Sequence, residues 1–318
     1  MRTPRLPISI LLVLGLLSLP QILRLPDAQG KILSAQVSTE LLPYLHARSL
    51  VTYSQRELTE FIPELKNTVF AQDQADLPLI LDRVGENVQT FFRDYPNTSA
   101  LEDVYLEREE SGGRTDAYLK RKYYYVVSTR SGADELGLEE YRTNLKNEFI
   151  DTEELRGSYL LTSGHSSTPL FFHPRNRSGC DFKLLGRDKA PLQAYVIGFA
   201  QIAEKTQIFG TIALHGTEVA ILEQGVLWVT PDSYQILRMR SELLVRRPDF
   251  GLEQHTSIID FKAVRFDAIS RSLWLPREVQ IVVRFDGYKF QNRHRYSQYR
   301  IFSVESRDGP KKLARPVP

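Results

Sequence analysis

The run from Gly225 to Ser306 limits what this chain can fold into more than any other segment. It holds Gly225-Val-Leu-Trp-Val-Thr-Pro-Asp-Ser-Tyr-Gln-Ile-Leu-Arg-Met-Arg, then Leu273-Trp-Leu-Pro-Arg-Glu-Val-Gln-Ile-Val-Val, then Arg293-His-Arg-Tyr-Ser-Gln-Tyr-Arg-Ile-Phe. β-Branched and aromatic residues fill these segments and turn residues bound them, so they read as consecutive antiparallel strands. Thr230-Pro231-Asp232-Ser233 is a turn with proline at its second position, and Gly216-Thr217 and Asp286-Gly287 supply others. From Cys180 onward the strand signal recurs near 180–186, 191–202, 207–214, 218–230, 233–246, 255–267, 273–286 and 294–305. In the last strand His294, Tyr296, Gln298, Arg300, Phe302 and Val304 fall on one face by strict alternation.

Helix signals come earlier. Residues 31–75 read as a polar-rich helical segment, in which Ser54-Gln-Arg-Glu57 has capping-box spacing ahead of Leu58, Phe61 and Ile62. The clearest helix opens at Asp76 as N-cap, carries Pro78 in its first turn and ends before Pro96. Ile80, Val84, Val88, Phe91 or Phe92, and Tyr95 form its apolar stripe, which predicts packing on a sheet. Gly85 inside it costs roughly 1 kcal/mol relative to alanine. Leu101–Glu109 and Tyr118–Ser128 then read as a hairpin around Ser111-Gly112-Gly113, Gly137–Phe149 as a helix, Ser158–Thr162 as a short strand, and Ser163–Arg177 as a loop.

An early helix followed by many strands predicts an α+β fold: one large curved antiparallel sheet with helices packed on one face. Arg2 and Arg5 precede an apolar stretch from Ile8 to Leu19, with Ala28-Gln29-Gly30 as a cleavage site, so residues 1–30 read as a signal peptide. An uncleaved anchor continuing through Leu25 is the competing reading. The expected organisation is a leader at 1–30, a helical segment at 31–75, a sheet domain at 76–306 and a disordered tail at 307–318. After cleavage no span remains, and the mature chain reads as a periplasmic or secreted monomer of the bacterial envelope.

A formal net charge of +2 over 318 residues leaves no electrostatic footprint for nucleic acid. A single cysteine, Cys180, excludes an intrachain disulfide. His165 and His173 flank a loop near Cys180 and Asp181, but metal-ligand spacing is absent and they read as loop and strand-end polar residues. No phosphate loop, dinucleotide fingerprint or nucleophile elbow occurs, and no cofactor is implied. The carboxylates Glu102/Asp103, Glu107/Glu109 and Glu139/Glu140 read as solvated faces, and Arg293, Arg295 and Arg300 as outward charges on a strand.

The hairpin Leu227-Trp-Val-Thr-Pro-Asp-Ser-Tyr-Gln-Ile-Leu-Arg, the Val196-Ile-Gly-Phe strand, the amphipathic helix at 76–95 and the export signal together resemble a known superfamily. It is that of the periplasmic lipoprotein carriers LolA and LolB and the sensor RseB, and this chain looks like an exported bacterial branch of it. Thr230 stands where that hairpin usually has aspartate, and the chain is longer than the simple carriers. The resemblance implies a half-barrel closed by helices over an apolar cavity, and a non-catalytic protein that binds a lipid, an acyl chain or a lipidated partner. Candidate lining residues are Phe91, Phe92 and Tyr95 on the helix with Tyr124, Trp228, Trp274 and Tyr296 on strands. An interaction or sensor domain with a solid core is the alternative. A hydrolase built on His165, His173 or Cys180 would require those side chains to converge.

Overall fold

The computed structural model describes residues 10–11, 39–110, 112–129, 138–150, 164–189, 191–206, 210–214 and 217–302. Most of the leader at 1–30, the strand expected at Ser158–Thr162 and the tail at 307–318 lie outside them. In chain order the strands are β1 (Ile10–Leu11), β2 (Thr68–Phe70), β3 (Thr98–Glu109), β4 (Thr115–Thr129), β5 (Leu138–Thr143), β6 (Cys180–Asp188) and β7 (Tyr195–Gln201). They continue as β8 (Gly210–Leu214), β9 (Thr217–Ile221), β10 (Glu223–Val229), β11 (Ile236–Leu243), β12 (Leu252–Val264), β13 (Leu273–Phe285) and β14 (Tyr288–Ile301). Eleven of them form one sheet in the order β2-β6-β7-β10-β11-β12-β13-β14-β3-β4-β5, while β1, β8 and β9 pair separately. The large sheet does not close, because β2 and β5 are its two edges. This is the expected open antiparallel half-barrel.

Helix α2 (Leu77–Arg93) lies on the concave face. Its Ile80, Leu81, Val84, Val88 and Phe92 share one buried cluster with Leu227, Ile259, Leu275 and Ile281. Asp76 makes no side-chain cap, so the helix start rests on its proline and on packing. Gly85 also has a packing reason: a Cβ there would sit 3.3 Å from the Phe172 carbonyl oxygen. Its absence lets α2 close onto the 3-10 turn Thr168–Phe172, which fills the trough beside it.

The N-terminal segment lies on the other side of the sheet. Helix α1 (Gln55–Phe61) begins with the expected capping box between Ser54 and Glu57. Its neighbours Leu50, Leu58, Ile62 and Leu65 bury Val196, Val226 and Trp228 on the outer face. The sheet is therefore covered on both faces at this end.

Two sequence expectations are corrected. Gly137–Phe149 was expected to be helical, but Leu138–Thr143 pairs with β4 as the edge strand β5. Tyr141 and Thr143 carry strand propensity there, and a free sheet edge outweighs the weak helical pattern. In β14, alternation holds through Tyr296 and then breaks: Gln298 takes a left-handed backbone (φ 53°) within an irregularity of register between Ser297 and Arg300. That bulge turns Arg300 outward instead of leaving it on the face of His294.

Gly225 marks the tightest point of the sheet. A Cβ at this position would lie 2.0 Å from the Arg240 carbonyl oxygen and 2.7 Å from the Phe199 ring. Neither β11 backbone nor a core ring can retreat cheaply, so Gly225→Ala is expected to cost about 3 kcal/mol or more in urea unfolding. A cost under about 0.5 kcal/mol would show that the strands are not held at this spacing.

Candidate functional site

The concave face is apolar beneath α2 and polar toward β5. Under the helix lies a slot of about 40 Å³, bordered by Val88, Phe91, Phe261 and Trp274 with Asn87 and Ser166 at its polar points. A water needs roughly 10–15 Å³ of such space, so the slot as it stands holds a few waters and no acyl chain. Three side chains tie α2 down. Asn87 Nδ2 donates to the carbonyls of Ser233 (2.8 Å) and Tyr234 (2.9 Å) in the β10–β11 turn. Arg271 reaches the Asp94 carbonyl at 3.2 Å, and Arg177 pairs with Asp82 at 2.8 Å.

The polar half is built by cross-strand neighbours, which share a face in a pleated sheet. Tyr125 on β4 pairs with Ala100 on one side and Arg142 of β5 on the other. Glu102, two residues along β3, pairs with Tyr296 of β14. Glu102 is fully buried. It accepts two hydrogen bonds from the Arg142 guanidinium (2.6 and 2.8 Å), one from His294 Nδ1 (2.8 Å) and one from the Tyr296 hydroxyl (3.0 Å). Burial pushes its carboxyl up, but the Arg142 charge and the hydrogen bonds outweigh that and hold it well below the usual carboxylate range. Glu102 and Arg142 are thus a desolvated ion pair.

Glu140, two residues before Arg142, does a different job. Its carboxylate accepts backbone N–H groups from Gly164 (2.8 Å), His165 (3.0 Å) and Ser166 (2.9 Å), and the Tyr125 hydroxyl. This ties the start of the 164–173 segment to the edge strand. Burial raises the Glu140 carboxyl, and the hydrogen bonds only partly offset it. His165 is fully enclosed and its ring lies 5.4 Å from that of His294. Burial pushes His165 well down and His294 down as well, so both are neutral at physiological pH. Within loop 163–177, residues 164–173 are therefore a buried plug, because the backbone donors find Glu140 and Leu170, Phe171 and Phe172 find the core.

The structure distributes the expected lining residues unevenly. Phe91 and Trp274 are half-buried and border the slot. Phe92 and Tyr95 stand beside it in the main core, and Tyr296 belongs to the polar network. Tyr124 and Trp228 are on the outer face: their neighbours Tyr125 and Leu227 point inward, and alternation sends them the other way. Trp228 is covered there by the N-terminal segment.

His165, His173 and Cys180 do not assemble into a nucleophile–base set. The His173 Nδ1 accepts the Arg175 N–H at 3.2 Å. Burial pushes the Cys180 thiol up to about 12, which keeps it a thiol rather than a thiolate. Among the described residues no group of three or more histidine, cysteine or acidic side chains is placed to hold a metal.

Glu102 and Glu140 were expected on solvated faces, but Glu102 is buried and Glu140 half-buried. Their phase carried a signal, since Ala100, Glu102, Val104 and Leu106 alternate as one buried face of β3. The adjacent Leu101 made the opposite phase equally readable, and no local pattern announces a partner forty residues away.

No family model matches the chain, and no curated protein matches it. Among solved structures it is similar to a LolA superfamily protein from Nitrosomonas europaea, at 12% identity over 71% of this chain and 94% of that one, with a TM-score of 0.31. It is similar to a DUF1329 family protein from Desulfovibrio piger at 12% identity, covering 70% and 92%, with a TM-score of 0.28. A Vibrio parahaemolyticus domain described as outer membrane lipoprotein-sorting aligns at 8% identity over 70% and 91%, with a TM-score of 0.29. Among the described residues no helix is long and apolar enough to cross a membrane.

Proposed function

We propose that this is a non-catalytic, exported binding protein of the bacterial envelope that takes an acyl chain, free or attached to a partner, between α2 and the concave face of its half-barrel. The observation that carries this is the slot itself. Its apolar walls lie between a sheet and a separable helix, and the large side chains Phe91 and Trp274 are left half-exposed at its border. Helix α2 is followed by the short connection Asp94–Asn97 and is fixed to the β10–β11 turn by a single side chain, Asn87. Lifting α2 would enlarge the slot without breaking any strand pairing. Each methylene then buried contributes about 0.8 kcal/mol, so a long chain can offset the lost helix packing.

Native mass spectrometry of the purified chain is expected to show a co-purified lipid, and a fluorescent fatty acid to bind saturably. A disulfide joining α2 to the β10–β11 turn, made by Asn87→Cys with Ser233→Cys, should abolish uptake, and reduction should restore it. No bound lipid together with no saturable uptake would overturn the proposal. That result would favour the docking or sensor reading, to which the present 40 Å³ volume is already suited.

A further inference from the structure

A second recess lies where the sheet forks. The β11–β12 ladder runs from Arg238↔Asp260 to Glu242↔Thr256, and the strands then part until the Arg247↔Leu252 bridge rejoins them. Beyond the ladder Leu244 donates to the Leu222 carbonyl, staying with the β10 side, whereas β12 follows β13 through His255↔Val283 and Gln254↔Arg284. The divergence opens a cleft of about 510 Å³, within the size range of small-molecule sites.

Its walls differ in chemistry. On one side Tyr53 and Phe61, in edge-to-face contact at 5.9 Å, line the cleft together with Leu243 and Leu244. On the other, Arg246 and Arg284 are exposed, and neither is ion-paired with a described carboxylate. Arg284 Nε donates to Gln254 Oε1 at 3.2 Å, which steadies its guanidinium beside the cleft. The third arginine, Arg240, is already engaged by Glu64 (2.7 Å) and Glu242. Against these, the rim carries the exposed carboxylate Glu253. The inner border includes His255, 1% exposed, whose Nε2 has no hydrogen-bond partner among the described residues. Its Nδ1 lies 3.5 Å from Glu223 Oε1. A buried imidazole nitrogen without a partner is costly unless something supplies one.

We infer that this fork is a binding site for an oxyanion carried on an amphiphile, a carboxylate or phosphate head group whose apolar portion rests on Tyr53 and Phe61. Two unpaired guanidinium groups match oxyanion geometry with paired N–H donors. The site is on the sheet's N-terminal-segment side and is independent of the slot under α2.

Isothermal titration with decyl phosphate, inorganic phosphate and decyltrimethylammonium, each below its micellar concentration, tests this. With the slot under α2 locked by the Asn87→Cys/Ser233→Cys disulfide, decyl phosphate is expected to bind saturably at one site and inorganic phosphate at least tenfold more weakly. Decyltrimethylammonium should give no saturable heat. The Arg246→Ala/Arg284→Ala variant should weaken decyl phosphate at least tenfold with an unchanged thermal midpoint, since both side chains are exposed. Loss of decyl phosphate binding in the locked protein would place the amphiphile under α2 and overturn the inference. Undiminished binding in the arginine variant would overturn it too, as would equal affinity for the cationic amphiphile. Inorganic phosphate bound as tightly as decyl phosphate would replace the amphiphile with a free anion.

Discussion

Arg142→Ala should be among the most damaging single changes in this chain, lowering the thermal midpoint by about ten degrees. Glu102 has no exposed surface, and Arg142 supplies its shortest hydrogen bond, at 2.6 Å, and another at 2.8 Å. Truncating the arginine leaves a carboxylate in the sheet interior with His294 and Tyr296 as its remaining side-chain donors. Breaking a buried pair in this one-sided way costs about 3–5 kcal/mol. In a domain of this size each kcal/mol moves the midpoint by about 2–4 °C. The companion measurement is Glu102→Gln/Arg142→Met. Removing both charges together removes the desolvation problem, so the double variant should recover most of the loss, with a coupling well outside additivity. If the double variant loses the sum of its singles, Glu102 and Arg142 are not acting as a pair.

That network also shows where sequence reading stops. The antiparallel sheet was legible because strand signals are local: turn residues and two-residue alternation survive in any window, whereas the placing of β2 beside β6, β7 beside β10 and β14 beside β3 rests on long-range pairing that no window holds. The α2 stripe was legible for the same reason, at a different period. The side of the sheet was not. Trp228 and Tyr124 read as candidate lining, and each is one residue out of phase with a neighbour that does face inward. The plug at 164–173 was invisible for another reason. It has no period, and its burial depends on three consecutive N–H groups meeting one carboxylate from β5. Glu140 itself lay in a segment expected to be helical, so its inward position could not be seen.

The same buried groups should make the fold acid-sensitive well before its surface carboxylates titrate. His165 and His294 are both enclosed, and burial depresses them below their ordinary value of 6.5. Depressed folded values mean that the unfolded chain takes up protons that the native chain refuses. Stability is then full above pH 6.5 and falls as pH drops below it. The slope approaches about 1.4 kcal/mol per pH unit for each histidine. Glu140 works in the opposite sense. Its carboxyl is raised above the ordinary 4.5, so the native chain binds that proton more tightly and gains stability as pH falls through the raised value. Glu102, held low, adds a second loss once pH drops below 4.5. The urea midpoint should therefore decline from pH 6.5 downward, and Glu140→Gln should steepen the decline because the counterweight is gone. His165→Asn should flatten it, since that side chain takes up no proton in either state. A midpoint unchanged between pH 7.5 and 5.5 would mean that water reaches these imidazoles, and that the plug does not seal the polar half of the half-barrel.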